Sequence, residues 1–172
     1  MKKRTIFVTL FLSLFLLQGA FAQVKIGYTN PARVLSQLPE VEEVDQQIQQ
    51  LIEERDAELA EKATNLQQVF SDYEASMNSM TEEERGVQEQ ELMQMNQQFE
   101  EERSNMMNEI RQRRQELMAP IIERMNTAMA EVAEEQGLDL ILNEGTSYGD
   151  AIIFYAGSER LNVTEDIIEK LK

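Results

Sequence analysis

The apolar positions in the middle of the chain repeat at the spacing of a coiled coil. One track recurs every seven residues, and a second lies between its members in alternating steps of four and three. The first track is Ile52, Leu59, Leu66, Tyr73 and Met80, and the second is Ala63, Phe70 and Met77. This pattern predicts a helix that packs along a seam against a partner helix. Upstream, the spacing continues with its phase shifted by four residues, which predicts local unwinding of a supercoil. These upstream positions are Val41, Val44, Ile48 and Leu51.

The pattern predicts a reversal of the chain near residues 78–82. Thr81 and Glu84 have the spacing of a capping box, which opens a new helix. This second helix is predicted to end near Gly137 and to bend at Pro120, which removes a helical hydrogen bond. Its apolar positions are Leu92, Met95, Phe99, Met106, Ile110 and Leu117. We therefore predict an antiparallel helical hairpin, an arm, over residues 40–136.

The two ends of the chain predict a small β-rich body. Alternating and branched apolar residues predict three strands, which are Val24–Tyr28, Leu138–Leu142 and Ala151–Tyr155, with a loop over residues 145–150. A short helix runs from Pro31 through Leu38 behind an Asn30 cap. A last helix, capped by Asn162 or Thr164, places Val163, Ile167 and Leu171 on one face. The body comprises residues 23–39 and 137–172, and about 50 residues are marginal alone, which favours oligomerisation. The predicted fold class is α+β, mostly α.

The first residues of the chain are typical of a cleavable secretory signal peptide over residues 1–22. Lys2, Lys3 and Arg4 precede an apolar run from Ile6 to Leu17, and the small residues up to Ala22 place the cut before Gln23. The alternative is a retained membrane anchor, but about a dozen apolar residues fall short of the ~20 that span a bilayer. We expect an exported protein that does not insert into the membrane and, because the signal is of bacterial type, resides in the periplasm.

Charge and missing residue types narrow the function. Residues 23–172 hold 13 basic and 32 acidic side chains, a net charge of −19, which argues against nucleic acid as a partner. The absence of cysteine excludes disulfides, and the absence of histidine excludes the common catalytic triads. The acidic runs 82–84 and 100–102 are typical of solvated helix faces. We therefore expect no enzyme, no catalytic residue, no metal and no cofactor.

The order of these motifs resembles the Skp/OmpH family of periplasmic chaperones. The residues that carry the resemblance are Lys25-Ile26-Gly27-Tyr28, Leu38-Pro39-Glu40, Pro120-Ile121, Met125, Ala128, Val132-Ala133, Gly137, Asp139-Leu140-Ile141-Leu142 and the run from Val163 to Ile168. The resemblance covers essentially the whole mature chain. It implies a homotrimer whose arms enclose a cavity and hold unfolded outer-membrane β-barrel proteins without ATP.

Candidate residues for binding such clients are concentrated at the tip and on the returning helix. All nine methionines of the mature chain lie between Met77 and Met129, and flexible thioethers pack against many apolar shapes. The candidates are Met77, Met80, Met93, Met95, Phe99, Met106 and Met107. The alternative is that the methionines fill an irregular seam. Met93 and Met107 fit the seam less well than the others, whereas Phe70 and Phe99 are expected in the core.

Three arginines on the returning helix are a second candidate site. Known family members are basic and meet lipopolysaccharide, so the resemblance implies an anion or lipopolysaccharide contact at Arg111, Arg113 and Arg114, although this chain is acidic. The alternative, which we favour, is that they are solvated side chains paired with Glu109 and Glu116.

Two functions of different classes follow. The first is an ATP-independent holdase for unfolded outer-membrane proteins. The second is a structural coiled-coil spacer or assembly factor of the cell envelope. A spacer predicts an uninterrupted, leucine-rich seam, so the phase shift and the methionine-rich returning helix favour the holdase.

Overall fold

In the computed structural model, which describes residues 24–146 and 149–172, a long helical hairpin leaves and re-enters a small body. Its elements are β1 (Ile26–Thr29), α1 (Pro31–Ser36), α2 (Pro39–Ser76), α3 (Glu82–Gln136), β2 (Leu140–Asn143) and α4 (Thr164–Leu171), with 3₁₀ turns at Met77–Ser79 and Glu159–Leu161. The predicted mostly helical α+β fold class is confirmed. The predicted signal peptide and its cleavage site lie outside the described residues.

The turn between the two long helices is closed by the predicted capping box. The Glu84 backbone N–H donates to Thr81 Oγ1 at 3.3 Å, and the Thr81 N–H donates to Glu84 Oε2 at 2.8 Å. Three glutamates occupy the first turn of α3, where the partial positive charge of the helix N-terminus favours them. The reversal is therefore encoded locally, without help from the distant body.

The far end of α3 is terminated by Gly137, which adopts a left-handed conformation with φ 62°. A glycine carries no Cβ that would clash there, so it is the residue that most readily ends a helix in this way. Pro120 lies inside α3, as predicted, and cannot donate a backbone hydrogen bond. The chain then enters β2 directly.

The sheet has two parallel strands, β1 and β2, in a register that pairs Ile26 with Leu140 and Tyr28 with Leu142. Gly27 belongs to the buried face, where an added Cβ would come within 2.7 Å of a Leu138 methyl group. Both strands begin two residues later than predicted.

The predicted third strand at Ala151–Tyr155 is wrong for this chain. Only Ala151 forms a bridge, an antiparallel one to Gly145. The N–H groups of Ile152 and Ile153 both donate to the Glu144 carbonyl, which closes a loop instead of continuing a ladder. Residues 152–155 therefore take no part in the two-stranded sheet.

The core lies where the hairpin joins the body. One buried cluster joins α1, α3 and α4 through Val34, Met125, Ala128, Val132, Val163, Ile167 and Ile168, and a second joins the two long helices through Leu38, Val44, Ile48 and Ile121. The last helix presents the predicted face, since Val163 and Ile167 are fully buried. The predicted cap at Asn162 or Thr164 is wrong, because the N-cap is Val163, which has no capping side chain. Asn162, one residue earlier, accepts from the Thr164 N–H at 3.1 Å. Beyond this root, no side chain between residues 49 and 105 is buried.

Candidate functional site

The arm is held together by a thin seam and by polar contacts that cross it. Ion pairs link the two helices at four levels, and the Tyr73 hydroxyl donates to Glu89 at 2.6 Å near the tip. The ion pairs are Glu40–Arg124, Asp45–Arg114, Arg55–Glu109 and Lys62–Glu102. Exposed pairs of this kind contribute little individually. Apolar burial also contributes little to the stability of the distal arm, because no side chain between residues 49 and 105 is buried.

The hydrogen bonds in these contacts shift the pKa of several groups. Hydrogen bonding to Glu109, and then to Glu58, raises the pKa of Arg55 above its already high value. Hydrogen bonding to Arg124 lowers the pKa of Glu40, and hydrogen bonding to Glu89 raises the pKa of Tyr73. All of these shifts favour the protonation states that keep the two helices linked near neutral pH.

The α2 seam departs from the predicted heptad in one track. The predicted seven-residue track is half-buried throughout, but Phe70 is 51% exposed and Met77 is 36% exposed. Val69 and Ser76 take their places in the seam. A straight helix has 3.6 residues per turn and drifts by about 20° per heptad against a strict seven-residue repeat. The expectation of Phe70 in the core is therefore wrong.

Several exposed apolar residues of the arm directly follow a seam residue in sequence. Each step along a helix rotates the side chain by about 100°, and in an antiparallel pair this rotation leads to the same broad side of the hairpin from both helices. We call this surface the apolar side. It comprises Phe70 and Met77 on α2 and Met93, Met107, Met118 and Ile122 on α3, together with Arg111 and Arg114.

The opposite broad side of the arm is polar. Some of its residues come directly before a seam residue in sequence, and the others lie one helical turn away from such residues. Together they line a groove between the helices. The groove residues include Gln47, Gln50, Glu54, Asn105, Asn108, Gln112 and Glu116. We call this surface the amide side. The apolar side also carries exposed polar residues that follow seam residues, such as Glu53, Asn96 and Glu100, so its apolar residues form separate patches. The groove on the amide side is lined mainly by amides and carboxylates.

The predicted client-binding residues fall into three groups. Met93 is 70% exposed, Met107 is 55% exposed, and both lie with Met77 on the apolar side. Met80, Met95 and Phe99 are half-buried in the seam. Met106 is buried between the two helices at 8% exposure. Met118 and Ile122 belong to the apolar side but were missed; the signal for them was the widening apolar face near the root.

The structure separates the three predicted arginines. Arg114 reaches across the hairpin to Asp45 at 2.6 Å, and Arg111 donates to Asn108 on its own helix. Arg113 borders the amide side and pairs with Glu116 at 3.4 Å, as expected. Glu109, the other expected partner, is bound by Arg55 instead. The cluster is therefore not a single anion site.

The sheet presents a second uncovered apolar surface. Gly27 and Thr29 point into the body and are buried, so the intervening side chains point the other way. Along the paired register, Ile26 is 41% exposed, Leu140 is 51% exposed and Leu142 is 38% exposed. Phe154 and Tyr155, in the segment predicted as a third strand, are almost fully exposed. We call Ile26, Leu140 and Leu142 the sheet face; the sequence signal for it was the strand alternation.

Two kinds of site are absent from the described residues, 24–146 and 149–172. Within these ranges the acidic side chains form no cluster of three or more that is suited to a metal ion. Within the same ranges, every helix is too short or too polar to cross a membrane.

Comparisons by sequence and by structure all return OmpH-like or Skp proteins. The family model described as outer membrane protein (OmpH-like) matches residues 25–171. The chaperone protein Skp of Photorhabdus luminescens is 26% identical over 154 residues, which cover 90% of this chain and 89% of that protein. Skp of Pectobacterium atrosepticum is 24% identical over 148 residues, or 86% of each chain. The crystal structure of an OmpH-like protein from Caulobacter crescentus has a TM-score of 0.67 over 87% of this chain and 84% of that one; at 14% identity it shows the shared fold alone.

Proposed function

This chain belongs to the OmpH-like family, and we propose that it is a chaperone that binds unfolded outer-membrane proteins and prevents their aggregation. The curated relatives, each spanned by this chain over most of its length, are named as chaperones. The observation that carries the proposal is the apolar side of the arm. It gathers exposed methionines on one surface, which the described part of the single chain leaves open to solvent.

The chemistry of the apolar side suits a promiscuous binder. Unbranched thioethers adapt to apolar segments of different shapes, so no fixed sequence is required of the client. The net charge of −19 repels other copies of the complex and opposes aggregation. Binding of this kind requires no nucleotide, no metal and no cofactor, and the lack of histidine is consistent with a protein that is not an enzyme.

The sheet face supports assembly into a homotrimer. Ile26, Leu140 and Leu142 form an apolar strip that the described chain leaves 38–51% exposed, and Phe154 and Tyr155 are almost fully exposed as well. Burying this strip against other copies supplies the core that a small body lacks. In the proposed trimer, residues 152–155 find the strand partner that is missing within one chain. Three arms then surround a cavity that holds the client.

Specific client contacts follow from exposure. We propose that Met77, Met93 and Met107 bind the client directly, because their side chains already face solvent on the apolar side. Met80, Met95, Phe99 and Met106 become available only when the two helices part. Arg111 and Arg114 border the apolar side, but Arg114 is paired with Asp45, so we propose an anion contact, which includes lipopolysaccharide, at Arg111 and not at Arg113 or Arg114. The predicted export signal places this activity in the periplasm.

Aggregation of an unfolded β-barrel provides the test. A urea-unfolded outer-membrane protein is diluted into buffer without ATP, and light scattering is followed with and without the chain. We expect suppression at trimer excess. The double variant M93S/M107S should require several-fold more protein for equal suppression, because two apolar contacts are lost.

The matched control is the double variant Q98S/N105S, which makes the same replacement on the amide side of the same helix and should suppress aggregation like the parent. Absence of suppression by the parent would contradict the holdase and favour the structural spacer. An equal loss of aggregation suppression in M93S/M107S and Q98S/N105S would contradict client binding on the apolar side. Multi-angle light scattering of the parent should give three protomers, and L140K/L142K should reduce that number.

A further inference from the structure

The exposed methionines of the arm have a second chemical property that packing does not use. A thioether is oxidised to a sulfoxide by peroxides and hypochlorous acid, which turns a flexible apolar side chain into a polar one. This chain has no cysteine to react first. The susceptible sulfurs are therefore those of the methionines, and access to solvent ranks them.

The methionines differ widely in their exposure to solvent. Met93 and Met107 are 70% and 55% exposed, whereas Met106 and Met125 are 8% and 5% exposed. Met93 and Met107 are separated by fourteen residues, close to four helical turns, so both lie on the apolar side about 21 Å apart. The two most exposed methionines of the described residues are thus both on the surface proposed to bind clients.

We propose that Met93 and Met107 form a reversible oxidation site that lowers client binding without unfolding the arm. This inference rests on the proposed function. Hydrogen peroxide transfers one oxygen atom to each sulfur: the O–O bond breaks, the S–O bond forms, and the peroxide is reduced to water. The sulfoxides face solvent, so α3 keeps its seam, while the apolar side loses its two most exposed thioethers.

The reduction of the two sulfoxides back to thioethers also balances. A dithiol reductant removes the oxygen as water and becomes a disulfide, and methionine sulfoxide reductases catalyse this step. Oxidation of Met106 has a different consequence, because a polar sulfoxide between the helices disrupts the seam. The exposure order thus separates loss of binding from loss of structure.

The full mature chain is treated with increasing hydrogen peroxide, and oxidation at each methionine is followed by peptide mass spectrometry. Met93 and Met107 should oxidise about tenfold faster than Met106 and Met125. At the dose that oxidises only the exposed pair, helical circular dichroism should stay unchanged. The oxidised protein should require at least about threefold more protein than the untreated one for equal suppression of aggregation. Treatment with a methionine sulfoxide reductase and dithiothreitol should restore it.

The variant M93L/M107L keeps apolar side chains but removes both sulfurs, so low-dose peroxide should leave its own level of suppression unchanged, whatever that level is before treatment. The matched control M106L/M125L also removes two sulfurs and should remain sensitive at low dose; leucine conserves volume well enough to keep the fold. A parent whose suppression survives oxidation of the pair would overturn the inference, as would equal sensitivity of M93L/M107L. A reduced parent that suppresses nothing contradicts the proposed function itself.

Discussion

Arg55 and Glu109 face each other across the arm in a two-point contact: Arg55 Nη2 donates to Glu109 Oε1 at 2.8 Å, and Arg55 Nε donates to Oε2 at 3.1 Å. The pair lies close to the distal stretch, residues 49–105, in which no side chain is buried. Two-point geometry makes it the best-formed ion pair between the helices. It holds a part of the arm that apolar packing holds only weakly.

Neutralising this pair should loosen the middle of the arm. Glu109→Gln is expected to speed amide hydrogen exchange around residues 55 and 109 by about twofold to fivefold, and high salt should reduce the difference from the parent. Glu116→Gln is the control, because it removes the same charge from a pair within α3. Equal effects of the two variants would contradict a bracing role across the hairpin.

Two glycines of the same helix should respond to alanine in opposite directions. Gly137 has φ 62°, so Gly137→Ala should destabilise by about 1–2 kcal/mol because of the left-handed backbone. An added Cβ at Gly86 meets no atom within 4 Å, so Gly86→Ala should stabilise by about 0.5–1 kcal/mol. Urea unfolding at equal protomer concentration measures both. A stabilising Gly137→Ala would contradict the helix end described here.

Truncating the root core should be the most damaging single change. Ile167 is 0% exposed and packs in the cluster that joins α4 to α1 and α3. Ile167→Ala should cost about 2–5 kcal/mol through lost burial and a cavity. Ile122→Ala on the apolar side, at 40% exposure, should cost less than about 1 kcal/mol. Thermal unfolding of the two variants at matched concentration distinguishes these outcomes.

The tip should lose stability on acidification through Glu84. Hydrogen bonds from the backbone and then the hydroxyl of Thr81 lower the pKa of Glu84. A lowered folded pKa means that the stabilisation is complete above the ordinary carboxyl pKa, about 4.3, and disappears as the pH falls through the lowered value. Amide exchange in the first turn of α3, corrected for its intrinsic rate, should show protection at pH 6 that declines only as the pH falls below the ordinary carboxyl pKa.

Two variants test the cause of that decline. Glu84→Ala should remove most of the protection already at pH 6 and flatten its pH dependence, because the capping box is broken. Glu82→Ala, which removes a carboxylate from the same turn but leaves the capping box, should keep the decline. A decline that persists unchanged in Glu84→Ala would assign it to the general charge of the arm.

Local chemistry made much of the arm predictable. Thr81 and Glu84 specify a helix start within four residues, and Asn30 and Pro31 do the same for α1. Gly137 specifies a helix end at its own position. Such signals depend on hydrogen bonds and backbone angles of neighbouring residues, so the sequence contains all that they require.

The second track of the seam was not predictable in the same way. Phe70 and Met77 match a strict heptad, but the seam passes through Val69 and Ser76. The choice depends on how far the helices supercoil, which is a property of the pair. The exposure of the client-binding candidates was not predictable either. Met106 and Met107 are adjacent in sequence, but they are 8% and 55% exposed.

Periodicity and capping act over a few residues, so the helical hairpin, its reversal, the small body at its root and the concentration of methionines on one helix follow from the sequence. The packed structure was needed to show that Met93, Met107 and Met118 share one broad side of the arm with Phe70 and that residues 152–155 form no strand. Both outcomes depend on which surfaces meet. A side of a hairpin exists only once two helices pack, and a strand exists only beside a partner.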